Sequence, residues 1–131
     1  MTHRFTCRVY YEDTDLAGIV YYANYLKFIE RARTEYVRAF GIDQTALKRE
    51  EDIVFAVRRV EADYLAPARF DDELIVETGL KSLSAARIVL AQDVLRGDMR
   101  LFASTVILVA LTGAGRPTRL PAAIRRLLTE P

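Results

Sequence analysis

One stretch of this chain repeats its apolar residues with the helical period, and almost everything after it repeats with the period of a strand. From about Tyr22 to Phe40, the residues Tyr25, Ile29, Ala32, Tyr36 and Phe40 fall on one stripe, with Tyr22, Leu26 and Val37 widening it. Gly41 follows where a left-handed residue ends a helix. The spacing predicts a single helix of about 18 residues whose apolar face needs a cover. Ahead of it, residues 4–11 alternate, with Phe5, Cys7, Val9 and Tyr11 on one face and Arg4, Thr6, Arg8 and Tyr10 on the other. Behind it, strands are predicted over 53–65, 73–82, 86–95 and 99–111. Ala66-Pro67-Ala68-Arg69 and Arg96-Gly97-Asp98 read as the turns between them, and Gly79 as a bulge or a close backbone approach. The apolar run Val106 to Leu111 predicts burial on both faces. Short helical turns are expected from the N-cap Asp43 through Leu47, and from Pro121 to Leu128.

Strands joined by tight turns pair antiparallel, and one sheet with one covering helix is a two-layer α+β domain. The expectation is a single domain over 1–131, with the helix in the concavity of a curved sheet of about five strands. One layer of helix leaves the far sheet face or an edge open, which predicts a homo-oligomer, dimer or tetramer.

Composition removes several function classes. Lys and Arg number 19 against 18 Asp and Glu, which gives no electrostatic reason to expect nucleic acid as partner. Cys7 is the only cysteine, so no intrachain disulfide forms and a cytoplasmic home is expected. The longest uncharged stretch, Leu101 to Gly115, is shorter than the ~20 residues of a membrane span, and Thr2 to Arg8 lacks a signal peptide's apolar region. No membrane insertion and no targeting segment are expected. The only histidine, His3, lies where chain ends fray, which argues against Ser-His-Asp and Cys-His triads and zinc sites.

The acidic loop before the helix carries the chemistry. Asp13-x-Asp15-x-Ala17-Gly18 half-matches a calcium loop, but Ala17 and Asn24 fall where ligands are required, so no metal is expected. Asp15 alone reads as a turn residue. Its place just before a long helix adds unpaired amides and a positive dipole end, which can hold a developing oxyanion while a carboxylate acts as base or nucleophile. Glu30 is either a second site carboxylate or, the favoured reading, an i,i+3 partner of Arg33. Asp13 either orients the loop or, the favoured reading, is solvated, and Arg58 and Arg59 read as partners of acidic neighbours rather than of phosphate.

The run Val9-Tyr10-Tyr11-Glu12-Asp13-Thr14-Asp15-Leu16-Ala17-Gly18-Ile19-Val20-Tyr21-Tyr22-Ala23-Asn24-Tyr25, with Phe28-Ile29-Glu30-Arg31-Ala32-Arg33, closely resembles the 4-hydroxybenzoyl-CoA thioesterase family. The likeness is best to its YbgC-like acyl-CoA thioesterases, associated with the Tol-Pal system. It extends through Ala62 to Leu74 and on to Arg116-Pro117-Thr118-Arg119-Leu120-Pro121, so it covers nearly the whole chain. The resemblance implies the hotdog fold and hydrolysis of acyl-CoA to free acid and CoA, with no cofactor beyond the coenzyme A that arrives with the substrate. It puts the catalytic aspartate on Asp15 and the oxyanion donor on the backbone amide of Tyr22. Gly18, Val20 and Tyr25 fall around the substrate. Lys81, Ser82 and Ser84 fall in the strand that grips coenzyme A, often across a subunit interface, with the Lys81 cation as the nucleotide contact. The aromatics Tyr21, Tyr22, Tyr25 and Phe28 read mostly as core, with one or two walling an acyl pocket. The sequence departs from relatives at Tyr22, where many carry histidine, and at Arg87, where a small hydroxyl residue is common. Two other readings stand beside it: a non-catalytic acyl-binding or envelope-associated interaction module, and a hotdog hydratase. The second typically needs a site histidine.

Overall fold

The alternation that predicted strands builds one antiparallel sheet. The computed structural model describes residues 2–129. The outermost residues of the expected 1–131 domain, Met1, Glu130 and Pro131, lie outside them. Strand β1 (Thr2–Arg8) leads through a short 3-10 turn at Tyr11–Asp13 and a loop to helix α1 (Asn24–Ala39) and helix α2 (Gln44–Glu51). Strands β2 (Val54–Tyr64), β3 (Glu73–Leu83), β4 (Arg87–Arg96) and β5 (Met99–Leu111) follow, then the two-residue β6 (Pro117–Thr118) and helix α3 (Ala122–Thr129). The order across the sheet is β1-β3-β4-β5-β2, with β6 pairing β5, and every pairing is antiparallel. This is the expected α+β arrangement, a curved sheet wrapped around one long helix.

The helix covers one face of the sheet. Tyr25, Phe28, Ile29, Ala32, Tyr36 and Val37 of α1 are buried against alternate residues of the strands, among them Leu74, Val76, Leu90, Phe102 and Val106. Each large side chain so buried contributes about 1.5–3 kcal/mol. A polar cluster interrupts this apolar layer. Gln92 is fully buried, and its Nε2 donates to the Ile29 carbonyl (2.8 Å) and to Thr78 Oγ1 (3.0 Å). Arg33 Nη1 donates to Gln92 Oε1 at 2.8 Å, and Ser104 Oγ donates to the Gln92 carbonyl. Every member of the cluster is therefore satisfied, as burial demands.

Several expectations move. Strand β1 ends at Arg8, because the Val9 amide and carbonyl pair with the turn at Asp71–Asp72, and Tyr11 swings out to 82% exposure. His3 does not fray: it lies within β1 opposite Thr78 and edge-on to Tyr36 at 6.3 Å. The helix begins at Asn24, so Tyr22 and Leu26 are exposed, and Phe28 takes the buried place. The bulge in β3 falls between Leu80 and Ser82, at Lys81, and Gly79 stays in regular register with Thr2. Ile107, Val109 and Leu111 are only half-buried, since α1 covers one face of β5 alone. Helix α2 runs to Glu51, beyond the expected turn, with Asp43 capping it as read: Oδ1 accepts the Ala46 amide at 3.1 Å.

Candidate active site

The acidic loop folds as a small hairpin of its own. The Asp15 amide donates to the Ile19 carbonyl at 2.9 Å, and Gly18 returns a bond to the Asp15 carbonyl at 3.0 Å. Gly18 does so at φ +79, a left-handed conformation that glycine adopts without strain. Inside this turn Asp15 Oδ1 accepts the Ala17 amide at 2.9 Å, which fixes the carboxylate's orientation. Oδ2 has no hydrogen-bond partner among the described residues.

The hairpin is tied to its neighbours on two sides. Val20 donates to the Ala68 carbonyl at 2.8 Å, and Ile19 bridges Arg69. The Asp13 carbonyl accepts both the Tyr21 amide and Asn24 Nδ2, which binds the loop to the first residue of α1. Asp13 is not simply solvated: its Oδ2 accepts the Tyr10 amide at 2.8 Å. Just ahead of α1, the amides of Tyr22 and Ala23 have no partner among the described residues, as befits groups that precede the helical ladder.

The far wall comes from the end of β2 and the turn after it. Tyr64, Leu65, Ala66 and Pro67 face Asp15, Ile19, Val20, Tyr21, Tyr22 and Tyr25 across a cavity of about 390 Å³. That is within the usual size of small-molecule sites. Tyr64 Oη donates to the Tyr22 carbonyl at 2.9 Å, and Tyr25 Oη accepts the Ala68 amide at 3.0 Å. Burial pushes both phenols above their ordinary range, so they stay protonated at neutral pH. Beneath the wall, Asp72 Oδ2 accepts from the Arg69 amide (2.9 Å) and from Arg96 Nη1 (2.9 Å), and Arg96 also reaches the Pro67 carbonyl. Partial burial would raise the Asp72 pKa, but these two bonds and the nearby guanidiniums hold it below the usual carboxylate value.

The structure thus brings together Asp15, Val20, Tyr22 and Tyr25, with Gly18 shaping the turn. Tyr21 and Tyr22 line the cavity rather than the core, while Phe28 is core. It does not bring Glu30 there. Glu30 is exposed, and Arg33 bonds Gln92 instead of forming the expected ion pair. His3 is remote as well, against Tyr36 in the second half of α1. Cys7 is half-buried, its thiol pushed up to about 11 by burial, which leaves no thiolate to act at neutral pH.

Lys81, Ser82 and Ser84 also lie away from this cavity. Lys81 Nζ donates to Thr105 Oγ1 at 3.1 Å in a groove on the uncovered sheet face, beside Glu61, Asp63 and Asp93. Ser84 Oγ accepts the amides of Ala86 and Arg87 in the turn from β3 to β4. That turn borders a second cavity, of about 480 Å³, where Arg58, Arg87 and Arg119 surround a floor that includes Val109, Leu111 and Pro117. Arg59 pairs with Glu61 as expected, but Arg58, displaced by a bulge in β2, has no acidic partner among the described residues. Nor have the guanidiniums of Arg87 and Arg119. Sequence reasoning missed this cluster because its arginines come from three separate segments. It also missed Tyr64 to Pro67, although the Ala-Pro-Ala turn that aims them was visible.

Residues 17–103 match the thioesterase superfamily. The acyl-CoA thioesterase YbgC of Haemophilus influenzae is 39% identical over 122 residues, covering 92% of this chain and 90% of its own. The acyl-CoA thioester hydrolase YbgC of Escherichia coli O157:H7 is 39% identical over 123 residues, covering 92% and 91%. Among solved structures, a probable thioesterase from Bartonella henselae superposes with a TM-score of 0.89 at 36% identity, over 92% of this chain and 100% of that one. A 4-hydroxybenzoyl CoA thioesterase variant complexed with 4-hydroxybenzoyl CoA reaches 0.91 at 24% identity, over 98% and 99%, a likeness of fold.

Proposed function

The chain belongs to the thioesterase superfamily and is an acyl-CoA thioester hydrolase, and we propose that the thioester is cleaved in the Asp15 cavity. The observation that carries this reading is that Asp15, with one carboxylate oxygen free of partners among the described residues, and Tyr22, whose amide is likewise free, line one largely apolar cavity. The thioester carbonyl oxygen is held by the Tyr22 amide, where the helix dipole favours the negative charge that develops. Asp15 Oδ2 either removes a proton from the attacking water or attacks directly to give an anhydride that water then opens. In both routes the C–S bond breaks with its electron pair on sulfur, and coenzyme A leaves as a thiolate that is protonated on release. No metal or redox cofactor enters this scheme.

The nucleotide end of coenzyme A carries its phosphates, and the unpaired arginines 58, 87 and 119 supply the cations for it. The position of Ser84 beside Arg87 supports this placement, whereas the carboxylates around Lys81 offset its charge. Along β5, Phe102 at the Tyr64 end and Val109 at the arginine end are seven residues apart, about 23 Å at the rise of a strand. In this reading the arginines that serve a given Asp15 are those of a second subunit. Strand β2 lies at the end of the sheet order with one side unpaired, and Val57 and Val60 are exposed on it, so β2 is the edge at which subunits join. A homotetramer would add contacts through the uncovered sheet face. Cytoplasmic residence and a link to the Tol-Pal system belong to the same reading, by likeness to the YbgC relatives.

Neither rival reading gains from the structure. A hydratase's histidine is missing from the cavity, and a passive acyl-binding module needs no oriented carboxylate. The test is a set of acyl-CoA thioesters incubated with the purified protein and with Asp15→Asn, with released thiol as the readout. The parent is expected to turn over and the folded variant to lose turnover. Equal rates would make Asp15 a turn residue only.

A further inference from the structure

In an α-helix that began one turn earlier, the Tyr22 carbonyl would accept the Leu26 amide. Here the Leu26 amide donates to Ala23 at 3.1 Å, and the Tyr22 carbonyl is released to a side chain from another layer of the fold. That side chain is Tyr64, the last residue of β2, whose hydroxyl donates at 2.9 Å. The bond joins the sheet to the one peptide turn that carries the unpaired Tyr22 and Ala23 amides.

The Tyr64 ring is itself held by packing. It lies edge-on to Phe102 at 5.1 Å, to Tyr25 at 5.5 Å and to Tyr22 at 6.1 Å. With the ring fixed, its hydroxyl has a defined position, and the Tyr22 carbonyl must point at it. The carbonyl belongs to the Tyr22–Ala23 peptide, so its direction sets the opposite direction of the Ala23 amide and limits the rotation that would turn the Tyr22 amide away.

We infer that Tyr64 is a positioning residue for hydrolysis: through the Tyr22 carbonyl it holds Tyr22 so that its amide stays aimed at the thioester oxygen. This deepens the Asp15 reading and rests on it. The aromatic ring shapes the cavity, but the hydroxyl acts only on the donors. Ring and hydroxyl are therefore separable.

Tyr64→Phe keeps the ring and removes the bond. The expected result is a kcat lowered about tenfold, with KM changed less than about twofold, the split that marks an interaction strengthened in the transition state. A second measurement uses an S-alkyl coenzyme A thioether, which fills the cavity but has no carbonyl for the amides. Its affinity should be the same for Tyr64→Phe and the parent. Parental kcat in Tyr64→Phe beside an inactive Asp15→Asn overturns this inference and leaves the Asp15 reading standing. Parental kcat in both variants overturns the two together. Thioether binding weakened as much as kcat falls would also overturn it, since the hydroxyl would then be supporting the cavity and not the donors.

Discussion

The Asp15 cavity and the arginine-lined cavity of this protein use polar groups in opposite ways. Around Asp15 the wall is tied together by hydrogen bonds within the molecule: Asp13 with Tyr10, Asn24 with Asp13, Tyr25 with Ala68, Asp72 with Arg96. Among the groups with no partner among the described residues are Asp15 Oδ2 and the Tyr22 amide. At the other end of β5, the guanidiniums of Arg58, Arg87 and Arg119 have no partner among the described residues. Bond cleavage needs a few atoms held in fixed geometry, so the first region uses its hydrogen bonds for alignment. Capture of a polyanion needs charge and tolerates mobility, so the second region leaves its cations loose.

The comparison breaks most visibly at Asp15. Asp15→Asn keeps the side chain's shape and removes the acting oxygen, and kcat should fall at least ~10²-fold, the scale of losing a general base or nucleophile. A fall in affinity with kcat intact would place Asp15 with the binding groups and erase the distinction.

The arginine end should show the reverse pattern. Arg87→Ala together with Arg119→Ala is expected to raise KM for acyl-CoA about tenfold and leave kcat nearly unchanged, because the phosphates are bound equally in ground and transition states. A substrate truncated to its pantetheine arm should not notice the change. Mixing these subunits with Asp15→Asn subunits sharpens the test. If the two regions of one site come from different subunits, hybrid dimers regain a site with parental KM.

Asp72 tests the alignment half through stability. Its folded pKa is depressed, so its contribution is present above the unfolded carboxylate value of about 3.9 and is lost as pH falls through the lower folded value. Asp72→Asn should cost about 1–2 kcal/mol at pH 7, in the range of hydrogen bonds to a charged group. The gap between variant and parent in urea unfolding should close as the pH is lowered below 4. A gap independent of pH would mean that the carboxylate's charge is not what fixes the turn.

Lys81 should show the smallest effect. Lys81→Ala is expected to change KM by less than about twofold, since its charge already faces Glu61, Asp63 and Asp93. A rise as large as that of the arginine pair would move the nucleotide to the sheet groove.

How much of this was legible in the sequence follows from how local each feature is. The α1 stripe and the strand alternation are local, and β5 was read to its final residue boundaries, Met99–Leu111. The Asp15 turn was legible because its carboxylate, Gly18 and helix start lie within ten residues of one another. The fate of His3 was not, since pairing with Thr78 holds it and that residue is far along the chain. Nor was the half-burial of Arg33, whose partner Gln92 lies 59 residues along the chain. The bulge at Arg58 is a different case. A one-residue shift inverts the alternation across it, and Val57 and Val60, three apart, mark that change of phase, but two charged neighbours at 58 and 59 do not say which of them is displaced.

The Gln92 cluster bears on the site from a distance. Apolar contacts resist separation of α1 from the sheet, but they are nearly indifferent to sliding along it, because one methyl replaces another at little change in buried area. A hydrogen bond to the Ile29 carbonyl is not indifferent: it specifies one axial position of the helix against β4. The start of α1, and with it the Tyr22 segment that lines the Asp15 cavity, is thereby indexed by a side chain in the middle of the core. Rigid-body drift of an ångström, invisible to overall stability, is the error this bond suppresses.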